Sequence, residues 1–222
     1  MGIITTKHSI SELNGDGLFK EVTLQKLKKN VQILVIDDDE FTYLNSLQNN
    51  DYCIKQRNDI ASLGDVSEYD IILCDVRGVG KFLNSEFEGA YLAKQIKEKY
   101  PNKIVVSYTA SNYDANFQKF LNRSDSIIPK GTSLEDWDSL LLEFIKDYAN
   151  PVKQWEKTRD ALLKAGVSTF EVANYESKYV RAYKKGEITS LKDEYNKKSF
   201  VGKEILVCLL ELISTIVKLK VG

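Results

Sequence analysis

Six polar side chains follow short apolar runs in this 222-residue chain, and their types could support one chemistry if the fold brought them together. They are Asp37, Asp38, Asp39, Asp75, Thr109 and Lys130. The first three directly follow the run QILVI, where adjacent carboxylates repel each other and are costly to desolvate. A solvated turn with an aspartate helix cap would explain that stretch alone. A divalent cation would also explain it, because its charge makes clustered carboxylates favourable.

Each of these residue types has a task in the transfer of a phosphoryl group. Two or three carboxylates can hold Mg²⁺, a hard cation that prefers oxygen ligands and keeps several waters. A carboxylate beside the metal can attack phosphorus and form an acyl phosphate. A lysine and a hydroxyl can offset charge on the phosphoryl oxygens. The set therefore indicates magnesium-dependent phosphoryl chemistry, provided that the fold gathers these side chains.

Five strand-like segments, each followed by a helical segment, must position these residues. The apolar segments are 31–36, 52–56, 70–75, 103–109 and 126–130, and the helical ones are 40–48, 59–69, 88–100, 113–122 and 133–149. This alternation is typical of an α/β protein with a parallel sheet covered on both faces, and the continuously apolar strands indicate the same. Pro129 cannot donate to a strand ladder, so the fifth strand is expected at an edge.

A flavodoxin-like, doubly wound sheet of order 2-1-3-4-5 satisfies that expectation. In this order the carboxyl ends of strands one and three lie side by side at the switch point, where open α/β sheets bind ligands. Asp37 and Asp38 follow strand one, and Asp75 ends strand three. We therefore expect these aspartates to form one acidic pocket, suited to a cation.

Composition excludes several other classes of protein. A net charge of -1 gives no global field for nucleic acid, and a single histidine without paired cysteines excludes zinc sites of the usual ligand types. The three cysteines are widely spaced, and two lie in apolar runs, which indicates core thiols in a reducing compartment. The first ten residues lack the hydrophobic core of a signal peptide, so we expect a cytoplasmic protein.

A change of pattern near residue 150 indicates a second domain. Residues 1–30 form a polar N-terminal extension, 31–149 the sheet domain, and 150–222 an all-helical appendage. The apolar part of its last helix, 205–217, is too short for a membrane span of about 20 residues. Such a helix is typically buried on more than one side, whether within the appendage, against a second copy of the chain, or against a membrane or another partner. We take a homodimer as the working expectation.

Five sequence elements in this order resemble the receiver domain of two-component response regulators, over residues 31–148. They are LVIDDD, IILCD, EGAYLAKQIKEKYP, VVSYTA and IIPK. The resemblance implies that Asp75 is the phosphorylated residue. It makes Asp37 and Asp38 the metal acids, with Asp38 the direct ligand of Mg²⁺ and the backbone carbonyl of Arg77 a further ligand. A slip by one residue, which would make Asp38 and Asp39 the pair, stays open.

The resemblance also implies the remaining roles. Thr109 stands in the place of the switch hydroxyl, and Lys130 pairs with the phosphate. A histidine kinase or phosphotransfer protein would donate the phosphoryl group, and the chain would catalyse only its own phosphorylation and dephosphorylation. The helical appendage would then relay the state through contacts with other proteins.

Two other functions compete with this one. A transcriptional regulator would use the C-terminal helices on DNA, but the segment 169–185 mixes acidic and basic residues and lacks a clean basic stripe, so nucleic acid is not the expected partner. A magnesium-dependent phosphatase would need a general acid two residues after its nucleophile. That position holds Arg77, which cannot give up a proton.

The chain also departs from the receiver pattern. The position three residues before the lysine is usually aromatic and here is Ile127. Because its branched side chain is stiff, we expect Ile127 to be a fixed core residue. A signal would then leave through the segment 110–117 or through the long loop that follows Asp75.

Overall fold

The computed structural model describes residues 7–13, 23–110 and 115–185, together with Val207 and Leu210. It divides into two compact units. One unit is Leu24–Tyr148, and the other combines Met1–Thr23 with Ala149–Gly222. The sequence pattern had instead set the divisions after residues 30 and 149.

A five-stranded, all-parallel sheet forms the centre of the first unit. Its strands are β1 (Gln32–Ile36), β2 (Cys53–Arg57), β3 (Ile71–Asp75), β4 (Ile104–Thr109) and β5 (Ser126–Pro129). Their order is β2-β1-β3-β4-β5, and every neighbouring pair is parallel. The flavodoxin-like fold and the edge position of the fifth strand are therefore confirmed. The strands β3 and β4 are buried along their whole length, as their unbroken apolar sequences require.

Helices accompany the sheet, and one predicted helix is much shorter than expected. The α-helices are α1 (Leu24–Asn30), α2 (Leu44–Asn49), α3 (Glu88–Lys99), α4 (Ala115–Leu121) and α5 (Leu134–Ala149). Within the predicted helical segment 59–69, only a 3-10 turn forms, at Leu63–Val66. The Asp65 carboxylate accepts from the backbone N–H groups of Ala61 and Ser62, which caps the amino-terminal end of this turn.

The core between the sheet and α3 is apolar and close-packed. It contains Leu34, Ile36, Ile72, Cys74, Leu92, Ile96 and Val105. Cys74 is fully buried there, and this burial raises the pKa of its thiol. The expectation that this cysteine is a core residue is confirmed.

Two α-helices make up most of the described part of the second unit. Its α-helices are α6 (Pro151–Lys164) and α7 (Thr169–Lys185). Asn150 caps α6 by accepting from the N–H groups of the first turn. The Trp155 ring stacks on Tyr179 at 5.4 Å, and its indole N–H donates to Glu176, which also accepts from the N–H of Ile10. These contacts join the two helices to the short segment 7–13.

Apart from Val207 and Leu210, the last apolar helix lies outside the described residues. The expected homodimer therefore stays a prediction. In the part of the chain that the structure describes, no helix is both long and apolar enough to cross a membrane.

Candidate functional site

Two of the candidate aspartates meet at the carboxyl edge of the sheet. β1 pairs with β3 in the register Ile36 to Cys74, so the residues that follow this pair, Asp37 and Asp75, stand next to each other. Both are buried, at 2% and 4% exposure. Asp75 is held by close packing from α3, because a Cβ at Gly89 would lie 1.8 Å from the Asp75 carbonyl oxygen. Only glycine fits at that position.

Lys130 joins the two buried carboxylates. Its Nζ lies 2.7 Å from Asp75 Oδ2 and 3.1 Å from Asp37 Oδ2. Its backbone N–H donates to the carbonyl of Thr109 at 2.8 Å, which ties the end of β5 to the end of β4. One positive charge therefore faces two negative charges in a largely buried place. The net negative charge of these three groups favours the binding of a cation.

The Asp37 carboxylate accepts hydrogen bonds from three groups. The hydroxyl of Tyr108 donates to its Oδ2 at 2.6 Å, and the N–H of Asp39 donates to its Oδ1 at 3.0 Å. With Lys130 on the same carboxylate, three groups occupy an acceptor that offers about four lone-pair positions. Sequence reasoning missed Tyr108. The signal was a tyrosine in a fully buried strand, since a buried phenol hydroxyl usually finds a partner.

The loop after β1 carries the two more exposed acids. Oxygens of Asp37, Asp38 and Asp39 lie within 4.8 Å of one another, and the last two side chains are exposed. The Asp38 carboxylate lies directly against the loop after β3, since a Cβ at Gly78 would be 2.3 Å from both of its oxygens. A mixture of buried and exposed carboxylate oxygens fits Mg²⁺, which takes one or two carboxylates and keeps water on its remaining positions.

The long loop after Asp75 is held by carboxylates from other elements. Asp59 accepts from the N–H groups of Gly80 and Lys81, at 2.7 and 3.1 Å. The Arg77 guanidinium lies over the Phe117 ring of α4, 4.2 Å from its centroid. These contacts order the loop beside the acids. That the Arg77 carbonyl binds the metal stays a prediction.

Electrostatics set the protonation of the site. Burial raises the pKa of Asp75, and the charge of Asp37 adds to the rise, while the hydrogen bond from Lys130 opposes it. Desolvation alone would lower the pKa of Lys130, but its hydrogen bonds and charge interactions with the two aspartates together raise it. Burial and the bond to Asp37 raise the pKa of Tyr108, so its hydroxyl keeps its proton and donates. Lys130 thus stays charged at neutral pH.

At the ends of β4 and β5, one residue lies where the sequence predicted and another does not. Thr109 is buried at the end of β4. Ile127 is 39% exposed, so the expectation of a fixed core residue is wrong. Strand alternation on this edge turns the neighbouring Ile128 inward instead, and Ile128 is 3% exposed. Of the segment 110–117, residues 111–114 lie outside the described residues, so its proposed movement stays a prediction.

Comparison with known proteins gave matches among solved structures. A scan against protein-family models and a search of the curated proteins each found no match. A CheY-like receiver domain protein from Methanospirillum hungatei is 21% identical, covering 53% of this chain and 95% of its own, with a TM-score of 0.42. A two-component response regulator from Clostridium difficile is 22% identical, covering 52% and 96%, with a TM-score of 0.44.

A third similar structure is a response regulator from Burkholderia pseudomallei, described with a phosphorylated aspartic acid, a calcium ion and citrate. It is 17% identical and covers 65% of this chain and 91% of its own, with a TM-score of 0.41. At these scores the assignment of the fold rests on the strand order and the parallel pairing themselves. By that order and pairing, the sheet unit of this chain has the flavodoxin-like fold, which flavodoxin and CheY share.

Proposed function

We propose that this chain is a signalling protein that accepts a phosphoryl group on Asp75 in a reaction that depends on Mg²⁺. The observation that carries the proposal is the position of Lys130 Nζ between the buried carboxylates of Asp75 and Asp37, at the carboxyl edge of the sheet. A structural ion pair needs one acid for one lysine. A second buried acid adds repulsion, which a bound cation can offset.

The transfer step uses the side chains in place. One carboxylate oxygen of Asp75 forms a bond to the phosphorus of the donor, while the bond from phosphorus to the leaving group breaks. The leaving group departs with that electron pair, and Asp75 becomes an acyl phosphate. Lys130, 2.7 Å from Asp75, stabilises the charge on the phosphoryl oxygens. Thr109, buried at the neighbouring strand end, supplies a hydroxyl on the same edge of the sheet.

The metal would be held by the acids of the two loops. Asp38 and Asp75 are the proposed direct ligands, with the Arg77 carbonyl as a third, and Asp37 is the buried charge behind them. When bound, Mg²⁺ offsets the negative charge of the incoming phosphoryl group. Asp38 is the accessible member of the pair because Asp37 already accepts from Tyr108 and Lys130.

The donor would be a histidine kinase or a phosphotransfer protein, and the output would pass through contacts of the helical C-terminal region with other proteins. Activity would be confined to the chain's own phosphorylation and dephosphorylation. A phosphatase acting on other substrates would need a general acid two residues after Asp75. That position holds Arg77, whose guanidinium lies over the ring of Phe117.

Intact mass tests this proposal. The full chain is incubated with acetyl phosphate and Mg²⁺, and the same reaction is run with a chelator. We expect one added phosphoryl group on the wild type and none on Asp75→Asn. The matched control is Asp70→Asn, which removes a second acid adjoining β3 at the opposite end of the strand, where it accepts from Tyr148 and Gln32. Labelling of Asp75→Asn equal to that of the wild type would refute the assignment.

A further inference from the structure

An aromatic cluster lies directly behind the candidate site. It consists of Phe41, Tyr43, Tyr108 and Trp137. The Tyr108 ring meets Phe41 and Trp137 edge to face, with centroids 5.9 Å apart in both pairs. Phe41 and Trp137 complete the triangle at 5.4 Å. Each ring of this triangle therefore contacts the other two, so a displacement of one must be accommodated by its neighbours.

One member of the cluster also belongs to the site. Tyr108 is 2% exposed, and its hydroxyl donates to Asp37 Oδ2 at 2.6 Å. Lys130 contacts the same oxygen at 3.1 Å. The two donors therefore share one acceptor atom, and one of them, Lys130, also contacts Asp75. A change at Asp75 can thus reach Tyr108 through a single shared oxygen.

We propose that Tyr108 is a positioning residue that holds Asp37 while Asp75 is unphosphorylated and transmits the phosphorylation of Asp75 to Trp137 on α5. This inference rests on the proposed function, because it describes how phosphorylation of that same site would be sensed. A phosphoryl group on Asp75 brings oxygens that carry about two negative charges. They attract Lys130 away from Asp37, whose Oδ2 then depends more strongly on the hydroxyl of Tyr108.

When Asp37 readjusts, Tyr108 moves with it, because the short, charge-assisted hydrogen bond couples the Tyr108 hydroxyl to Asp37 Oδ2. Its ring then shifts against Phe41 and Trp137. The structure leaves room for such a shift, because a cavity of about 250 Å³ adjoins the cluster. Asp37, Lys130, Tyr108 and Trp137 all line it. A closely packed interior would resist the movement, whereas a cavity beside the rings permits it.

This route replaces the one that an aromatic on β5 would provide. Ile127 occupies that position and is 39% exposed. Tyr108 lies one strand further in and is buried, and its ring contacts that of Trp137 on α5. The signal would therefore reach α5 through the interior of the unit.

Fluorine NMR of the full chain labelled with 5-fluorotryptophan tests the inference. The chain has two tryptophans, so Trp137 gives one resonance and Trp155 the other. Trp155 belongs to the helical unit and serves as an internal reference, and Trp155→Phe assigns the pair. Beryllofluoride with Mg²⁺ mimics the phosphoryl group, and its bound fluorines appear in the same spectrum. One measurement thus reports both the occupancy of the site and the response of the ring.

In the wild type we expect a bound beryllofluoride signal together with a shift of the Trp137 resonance. In Tyr108→Phe at saturating beryllofluoride, the bound signal should persist while the shift of Trp137 falls to less than half. The matched control is Tyr43→Phe, which removes a hydroxyl from the wall of the same cavity and keeps Tyr108 on Asp37. It should behave as the wild type does.

Two results would overturn the inference and leave the proposed function standing. One is a Trp137 shift in Tyr108→Phe equal to that of the wild type. The other needs no variant and is an unmoved Trp137 resonance in wild-type protein that has bound beryllofluoride. A wild-type chain that binds no beryllofluoride would instead refute the proposed function, and this inference with it.

Discussion

Removal of the Lys130 charge should show how the two buried acids depend on one lysine. The substitution Lys130→Met keeps most of the length of the side chain and leaves Asp37 and Asp75 without their common partner. In the wild type, Oδ2 of Asp75 and Oδ2 of Asp37 lie 2.7 and 3.1 Å from Lys130 Nζ. They are therefore at most about 5.8 Å apart, where two unit charges repel by about 3 kcal/mol at an effective dielectric constant of 20.

The expected loss of stability follows from this repulsion. Removing one partner of a buried ion pair typically costs about 3–5 kcal/mol, and we expect Lys130→Met to fall in that range at pH 7. In an Asp75→Asn background the repulsion is absent, and Asp37 keeps its bonds from Tyr108 and Asp39. The same substitution should then cost roughly 2 kcal/mol less.

Urea unfolding at equilibrium measures both quantities through a double-mutant cycle. The matched control is Lys81→Met. Lys81 lies 3.9 Å from Asp38 in an exposed ion pair, which should contribute at most about 1 kcal/mol to the free energy of unfolding. Lowering the pH should reduce the cost of Lys130→Met, since one acid can then take a proton. Equal costs of Lys130→Met in the two backgrounds would refute the view that the acids share one lysine.

Three further outcomes follow from the same geometry. Burial raises the pKa of Asp75, so its charge opposes folding at neutral pH. Asp75→Asn should therefore raise the urea midpoint at pH 7. This gain should shrink as the pH falls through the raised pKa of the folded protein, and it should vanish below 3.8, the ordinary pKa of the carboxyl. Gly78→Ala should weaken Mg²⁺ binding about tenfold or more in calorimetry, because the added Cβ would meet the Asp38 carboxylate. The control is Gly166→Ala, where φ is also positive but a Cβ would meet no other atom, and it should leave Mg²⁺ binding unchanged. Asp38→Asn should weaken Mg²⁺ binding more than Asp39→Asn, and the reverse order would move the metal acids by one residue.

The architecture could be predicted because its signals are local and repeated. Continuous apolar runs gave the strands, and Pro129 placed the fifth of them at an edge, as the sheet shows. The parallel arrangement then brought Asp37 and Asp75 to the same edge. A sequence that alternates strands and helices therefore contains enough information to gather residues far apart along the chain.

The contacts that were missed depend on three-dimensional packing. Tyr108 was hidden because a tyrosine in an apolar strand looks like any core residue until its hydroxyl partner is known. Ile127 was misplaced because a short edge strand exposes alternate residues, and the sequence does not show which ones. Within the segment 59–69 only the 3-10 turn Leu63–Val66 forms, and the side chains of Ser62 and Asp65 cap its amino-terminal end. For Tyr108 the decisive feature was a hydrogen-bond partner, and for Ile127 it was the face of the edge strand on which the side chain lies.

Mapping of the modified residue tests the central claim most directly. The chain is treated with acetyl phosphate and Mg²⁺, and borohydride then reduces any acyl phosphate to the corresponding alcohol, which peptide mass spectrometry locates. The account predicts that the converted residue is Asp75, in a reaction that requires the metal. Conversion at Asp37, Asp38 or Asp39, or no conversion while Mg²⁺ is bound, would contradict it.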